Sequence, residues 1–179
     1  MVKTLNLIFM TLVITQISQV GDWRGIVPLR STRADVERLL GRPVEGSSHL
    51  YQTANERISI TYSQRPCDYD WQVPLGTVIN ISVHSMNPPA FAALKLDERG
   101  YEKRRDVHLE SLFYYVNQEK GINYTVDTAA GVVTGVEYFP SAKDNSRRCS
   151  RPKDSTGVRK SSLTPKNNRE KRRRSARKP

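Results

Sequence analysis

The chain has 179 residues, of which 26% are charged, and its net charge is +11. Residues 141–179 hold 15 Lys and Arg against 3 Asp and Glu, a net of +12, whereas residues 1–140 hold 14 against 15, a net of −1. The basic balance therefore belongs to one end of the chain, which excludes the basic folded surface that is typical of nucleic-acid-binding domains.

The first twenty residues have the layout of a secretory signal peptide. A short positive segment, Met1 to Lys3, precedes an apolar run over residues 5–14. This run is shorter than the roughly 20 residues that a membrane-spanning helix needs. We predict a signal peptide over residues 1–20 and an exported protein, periplasmic or extracellular, with no transmembrane span. The alternatives are an uncleaved anchor or the first strand of a buried core.

A short helix is predicted over residues 33–40. Thr32 and Asp35 have the spacing of a capping box, with Asp in place of the usual Glu. An apolar stripe follows at i, i+3 and i+4, formed by Val36, Leu39 and Leu40. The helix ends at Gly41, and Pro43 prevents its continuation. We expect the stripe to pack on a sheet.

The rest of the body favours β-strands. Apolar and polar residues alternate along 58–62 and 79–83, as in strands with one wet face. Further strands are predicted over 112–116, 122–126 and 132–139, an edge strand over 101–107, and one helical turn over 90–94. The predicted fold class is α+β, an antiparallel sheet with one or two short helices packed on one face. We predict a single domain over residues 21–149.

The helix motif also resembles a known group of proteins. Residues 32–43, Thr-Arg-Ala-Asp-Val-Glu-Arg-Leu-Leu-Gly-Arg-Pro, with Ile26, Pro28 and Leu29 before them, are similar to a segment of small exported bacterial proteins. These proteins share the fold of β-lactamase inhibitory protein and of the small lipoprotein of the outer-membrane β-barrel assembly machinery. The resemblance implies protein binding or envelope scaffolding, with no catalytic residues to carry over.

Two cysteines, Cys67 and Cys149, are the only ones in the chain. An even number of cysteines in an oxidising compartment predicts a disulfide. This disulfide would close a long loop, and in the chain-entropy model it would stabilise the fold by about 4 kcal/mol. The alternative is two unpaired thiols. Between the first cysteine and Trp71, Asp68 and Asp70 flank Tyr69. This pattern is compatible with a binding loop or a weak calcium site, but solvated loop residues are the simpler interpretation.

Motifs for catalysis and cofactors are absent from the sequence. No glycine-rich phosphate loop and no G-x-S-x-G nucleophile turn occurs, and His49, His84 and His108 are scattered. We therefore expect no catalytic residues, no metal and no cofactor, and not an enzyme. The alternative is a small hydrolase or metal-dependent enzyme whose site is assembled from scattered residues such as His84, His108 and Asp106.

The segment 150–179 is predicted to be a disordered basic tail. Beyond Cys149 its only apolar residues are Val158, Leu163 and Ala176, which cannot form a core. Its last residues are expected to attract polyanions through Lys171, Arg172, Arg173, Arg174, Arg177 and Lys178. Candidate partners are anionic lipid, polysaccharide or nucleic acid for the tail and a protein for the sheet. A solubilising tail without a partner is the alternative.

Overall fold

The computed structural model describes residues 21–150, and a seven-stranded antiparallel sheet organises them. The strand order is β1-β2-β3-β7-β6-β5-β4, so the last strand lies at the centre of the sheet. The strands are β1 (Leu50–Gln52), β2 (Glu56–Tyr62), β3 (Val78–Ser85), β4 (Glu102–Arg105), β5 (Leu112–Asn117), β6 (Ile122–Asp127) and β7 (Val132–Tyr138).

The helix α1 (Arg33–Leu40) has the predicted bounds and start. The Thr32 side chain accepts a hydrogen bond from the Asp35 backbone N–H, and the Asp35 carboxylate accepts one from the Thr32 N–H at 2.9 Å. One part of the prediction is wrong. Val36 is fully buried, but Leu39 is 46% exposed, because an eight-residue helix contacts the sheet along a narrower strip than the predicted stripe.

The two faces of the sheet differ in character. Residues that pair directly across strands share a face, and one such row runs from Tyr51 through Ile58 and Val83 to Val136. The helix and the 3₁₀ turn Phe91–Leu94 pack on this apolar face, as the clusters around Val36 and around Phe91 indicate. The opposite face, which we call the open face, carries polar side chains such as Asn80, Asn123 and Glu137.

The predicted antiparallel sheet and the short helix on one face are confirmed, although the sheet supplies most of the regular structure. The fold is therefore sheet-rich. The predicted edge strand is present as β4, whose four residues are all exposed and charged, and this protects the edge from pairing with another chain. Residues 1–20 and 151–179, with the predicted signal peptide and most of the predicted tail, lie outside the described residues.

Candidate functional site

The predicted disulfide between Cys67 and Cys149 is present, with their Cα atoms 5.8 Å apart and a sequence separation of 82. Backbone hydrogen bonds extend the junction: the Cys149 N–H donates to the Asp70 carbonyl at 2.9 Å, and the Gln72 N–H donates to the Arg147 carbonyl at 2.8 Å. Residues 147–149 are therefore attached to the segment that follows the first cysteine.

The segment Cys67 to Asp70 has an unusual backbone. Cys67, Tyr69 and Asp70 have φ values of 57°, 52° and 66°, in the left-handed region that non-glycine residues rarely occupy. Each such residue costs about 1–3 kcal/mol and persists only where its surroundings hold it. The disulfide and its neighbouring hydrogen bonds provide that restraint. The result is that the Tyr69 side chain points outward and is 62% exposed.

Asp68 corrects the prediction of solvated acidic residues in this loop. Its side chain is buried, because its carboxylate closes the turn: Oδ2 accepts the Gln64 backbone N–H at 2.8 Å, and Oδ1 lies 3.4 Å from the Arg65 Nε. The carboxylate is thus occupied within the loop. Within residues 21–150, no three or more His, Cys, Asp or Glu side chains are grouped so that they could hold a metal ion.

Two grooves lie on either side of Tyr69. The first, which we call the helix-side groove, has a volume of about 210 Å³, and Arg33, His49, Tyr62 and Gln64 contribute to its lining. The second, the disulfide-side groove, has a volume of about 320 Å³, and its lining includes Trp71, Asn80, Gln118 and Arg148. Tyr69 and Thr61 line both. Tyr69 therefore forms the wall between two adjoining recesses.

Each groove contains an arginine stacked on a buried aromatic ring. The Arg33 Cζ lies 4.2 Å from the centre of the Tyr62 ring, and the Arg148 Cζ lies 4.3 Å from that of Trp71. Arg33 also donates to the Ser48 carbonyl, and Arg148 Nε donates to the Asn145 side chain at 3.0 Å. Burial, with a hydrogen bond to Tyr51, raises the Tyr62 pKa above its usual value, so the ring under Arg33 stays neutral.

These two arginines differ from the salt-bridged arginines of the chain in forming no close ion pair. Within residues 21–150, no ion pair of 4.0 Å or less joins Arg33 or Arg148 to a carboxylate. Neither guanidinium is therefore paired directly with a carboxylate of the described chain. Each uses one N–H group in the hydrogen bond given above and has further N–H groups that can donate to another acceptor.

A polar network on the open face of the sheet adjoins the disulfide-side groove through Asn80. Asn80 Nδ2 donates to Glu137 Oε1 at 2.6 Å, and Asn123 Nδ2 donates to Glu137 Oε2 at 3.3 Å. The Asn123 Oδ1 is buried without a hydrogen-bond partner in the described structure. The network fixes the Asn80 amide at the edge of the groove.

The residues of the enzymatic alternative do not form one site. His84 lies on β3, where its Nε2 is 3.3 Å from the Ser82 hydroxyl. Asp106 and His108 lie on the turn between β4 and β5. In the sheet order β3 and β5 are separated by β7 and β6, which corresponds to about 14 Å at the usual strand spacing. The structure therefore does not bring His84 together with the Asp106 turn.

Asp106 instead has a structural role in its own turn. Its carboxylate accepts the backbone N–H groups of His108 and Leu109 at 2.8 and 3.0 Å and the Tyr114 hydroxyl at 2.7 Å. These hydrogen bonds, chiefly the one from His108, lower the Asp106 pKa below its ordinary value. The carboxylate is charged and engaged by its own loop.

Sequence reasoning identified the disulfide and the Tyr69 loop but did not identify the arginines. Arg148 immediately precedes Cys149, so the predicted disulfide placed it close to Trp71, and this signal was available in the sequence. Arg33 had no such signal, because its contact with Tyr62 depends on how α1 packs on β2. The predicted polyanion-binding residues Lys171 to Lys178 lie outside the described residues.

Within residues 21–150, no helix is both long and apolar enough to cross a membrane.

No protein-family model matches the chain. No curated protein matches it either. A solved structure, a DUF4309 family protein (YjgB) from Bacillus subtilis subsp. subtilis str. 168, is 13% identical with a TM-score of 0.45; the similarity covers 66% of this chain and 84% of that one. At this TM-score the similarity carries no argument about fold or function, and the resemblance to β-lactamase inhibitory protein stays a prediction.

Proposed function

We propose that this chain is an exported, non-enzymatic binding protein that holds a protein partner in the two grooves beside Tyr69. The observation that carries the proposal is the exposed tyrosine on a left-handed, disulfide-restrained loop between two recesses. A backbone held in a sparsely populated conformation is a common property of functional sites. Its maintenance here serves to present one aromatic side chain outward.

The composition of the grooves supports a protein partner. Tyrosine, tryptophan and arginine are the residues that dominate binding energy at protein interfaces, and Tyr69, Trp71 and Arg148 meet at the disulfide-side groove. Trp71 is buried, and its ring supports Arg148, which limits the orientations that this side chain can adopt. A rigid surface loses less conformational entropy when a partner binds.

Export and the tail complete the proposal. The disulfide fits an oxidising compartment, which agrees with the signal peptide predicted over residues 1–20. We propose that the protein acts in the periplasm or outside the cell, in an envelope-scaffolding or binding role. We also propose that its fold is of the α+β class and is related to that of the exported binding proteins named in the sequence analysis. The tail over residues 150–179 would add a salt-sensitive attraction to anionic lipid, polysaccharide or nucleic acid.

Site-specific cross-linking tests the partner site. A photoreactive phenylalanine analogue replaces Tyr69 in one full-length variant and Val107 in a control, and both are irradiated in cells of the source organism. Val107 is 87% exposed and lies in the turn between β4 and β5, near the start of β5, whereas Gln118 of the disulfide-side groove follows the end of that strand. We expect a discrete adduct from position 69 alone. Equal adducts from both positions would contradict the proposal.

A second variant links the adduct to the restrained loop. When Cys67 and Cys149 are both changed to Ala, the analogue at position 69 should lose its discrete adduct, because the loop is no longer held in its left-handed conformation.

For the tail, replacing Lys171, Arg172, Arg173, Arg174, Arg177 and Lys178 with Gln should weaken retention on heparin at low salt. Retention that is unchanged would place polyanion binding elsewhere in the chain.

A further inference from the structure

The electrostatic character of the grooves indicates the chemistry of the partner. Neither groove is lined by an Asp or Glu side chain in the described structure, while each contains an arginine without an acidic partner. We infer that the occupant is an acidic, extended polypeptide segment. Its carboxylates would pair with Arg33 and Arg148 on the two sides of Tyr69. This inference rests on the proposed function and specifies its partner.

Carboxylates suit these arginines because of how the rings hold them. A guanidinium lying flat on an aromatic ring keeps its orientation and presents N–H donors in its plane. A carboxylate can accept two such hydrogen bonds side by side, which makes the pair both stronger and more directional than a contact between neutral groups. The Cζ atoms of Arg33 and Arg148 lie over the Tyr62 and Trp71 rings, 4.2 and 4.3 Å from the ring centres, so each guanidinium is held against an aromatic ring.

A polypeptide suits the grooves better than an acidic glycan or a nucleic acid. Sugars and bases are held mainly by stacking on free aromatic faces. Here the Tyr62 and Trp71 rings are buried beneath guanidinium groups, which leaves the exposed Tyr69 and the half-buried Phe139 for stacking at these grooves. The other polar lining residues include Thr61, Gln64, Asn80 and Gln118, whose short neutral groups match the donors and acceptors of a peptide backbone.

The charge of the rest of the chain adds a second argument. Residues 151–179 carry 12 Lys and Arg against 2 Asp and Glu. A basic segment in the same chain increases the local concentration of an acidic partner and speeds its association at low salt. An acidic polypeptide is thus attracted by both parts of the chain.

The test separates the grooves from the tail by using a full-length chain in which every Lys and Arg of residues 151–179 is Gln. The probe is a fluorescein-labelled 20-residue peptide of alternating Glu and Ser, and its control is the same peptide with Gln in place of Glu. Binding is measured by fluorescence anisotropy at low and at raised salt. We expect the Glu peptide to bind and the Gln peptide not to bind, with affinity falling as salt screens the pairs.

Paired substitutions locate the binding. Arg33→Gln with Arg148→Gln should weaken the Glu peptide roughly a hundredfold, because each arginine contributes about tenfold through charge-assisted hydrogen bonds. The matched control, Arg42→Gln with Arg57→Gln, removes the same charge from two exposed arginines outside both grooves and should change affinity less than about twofold. Equal losses in the two pairs would overturn the inference.

A conservative pair keeps the test valid if Arg33→Gln disturbs the start of α1. Arg33→Lys with Arg148→Lys retains the charge but not the planar donor pair, and it should lose most of the affinity while keeping the thermal midpoint. Two further results overturn the inference. One is binding of the Gln peptide as tightly as the Glu peptide. The other is tighter binding of polygalacturonate than of the Glu peptide through the same arginines, which would assign the grooves to an acidic glycan.

The outcome is distinguishable from failure of the proposed function. If the Glu peptide does not bind but the discrete adduct from position 69 persists, the grooves still hold a partner and only its acidic character is wrong. If both the peptide binding and the adduct are absent, the proposed binding function is wrong as well.

Discussion

Removal of the disulfide by changing Cys67 and Cys149 to Ala should lower the free energy of unfolding by a net 2–4 kcal/mol. The 82-residue separation gives about 4.5 kcal/mol of lost loop-closure entropy in the unfolded chain at 25 °C. Part of this is offset in the folded state, because the loop can relax once it is released, by about the 1–3 kcal/mol that a single one of its three left-handed residues costs. The backbone hydrogen bonds from Cys149 and Gln72 limit how far that relaxation goes.

Urea unfolding of the oxidised protein and of the double variant, followed by circular dichroism, measures this difference. The midpoint should fall, and the slope with denaturant should be equal or larger, because an unfolded chain without the cross-link exposes more surface. A single Cys149→Ala variant serves as a control for the loss of one side chain. A difference below about 1 kcal/mol would refute the reasoning, since it would mean that strain in the loop cancels the entropy of closure.

Four further predictions concern stability, measured as urea midpoints. Gly121→Ala should destabilise the fold by more than about 1 kcal/mol, because φ is +62° and the new Cβ would press on a backbone carbonyl. Gly131→Ala should destabilise it less, because φ is similar, at +68°, but the space around the new Cβ is open. Thr32→Ala should cost about 1 kcal/mol by removing the helix cap. Glu137→Gln should cost about 1–3 kcal/mol, because one of two amide donors would lose its acceptor. A backbone hydrogen bond from Thr32 is the chief cause that lowers the Asp35 pKa from 3.8 to about 2. The ionised Asp35 should therefore stabilise the helix above pH 4, and this stabilisation should be lost as the pH falls towards 2.

The predictions for the glycines, for Glu137 and for Asp35 can each be contradicted by one result. Equal costs at the two glycines would show that crowding is unimportant at position 121. A Glu137→Gln variant as stable as the wild type would mean that the amides find other partners. For the acid effect, the comparison is with Asp35→Asn: the difference in unfolding free energy should be constant above pH 5 and shrink below pH 4. A difference that grows on acidification has the wrong sign for a depressed pKa.

Most of the fold could be predicted from local sequence patterns. The helix over residues 33–40 was predictable because its cap and its glycine stop lie within ten residues of each other. The strands β2 and β3 were predictable because one face of each is buried and the other is wet. In contrast, β1 has three residues and no room for an alternating pattern, and it forms because it pairs with β2.

The candidate site was predictable only in part, because it combines local and long-range contacts. The pairing of Cys67 with Cys149 followed from counting cysteines in an oxidising compartment. The outward direction of Tyr69 did not, since a left-handed backbone at a non-glycine residue is contrary to local preference and depends on the disulfide. Asp68 was misassigned for a related reason: its hydrogen bond to Gln64 exists only once the turn has closed.

The central place of β7 has a consequence for how the chain acquires its structure. Strands β1 to β3 are consecutive in the sheet, and so are β4 to β6, but these two halves are joined only when β7 pairs with both β3 and β6. The half made first therefore keeps the β3 edge, with its Ile81 and Val83, unpaired until residue 138 has been synthesised. Non-local closure of this kind is slow and leaves the open edge vulnerable to pairing between chains. A chain in which β3 has folded and β7 has not yet paired with it is therefore open to association with another chain through this edge.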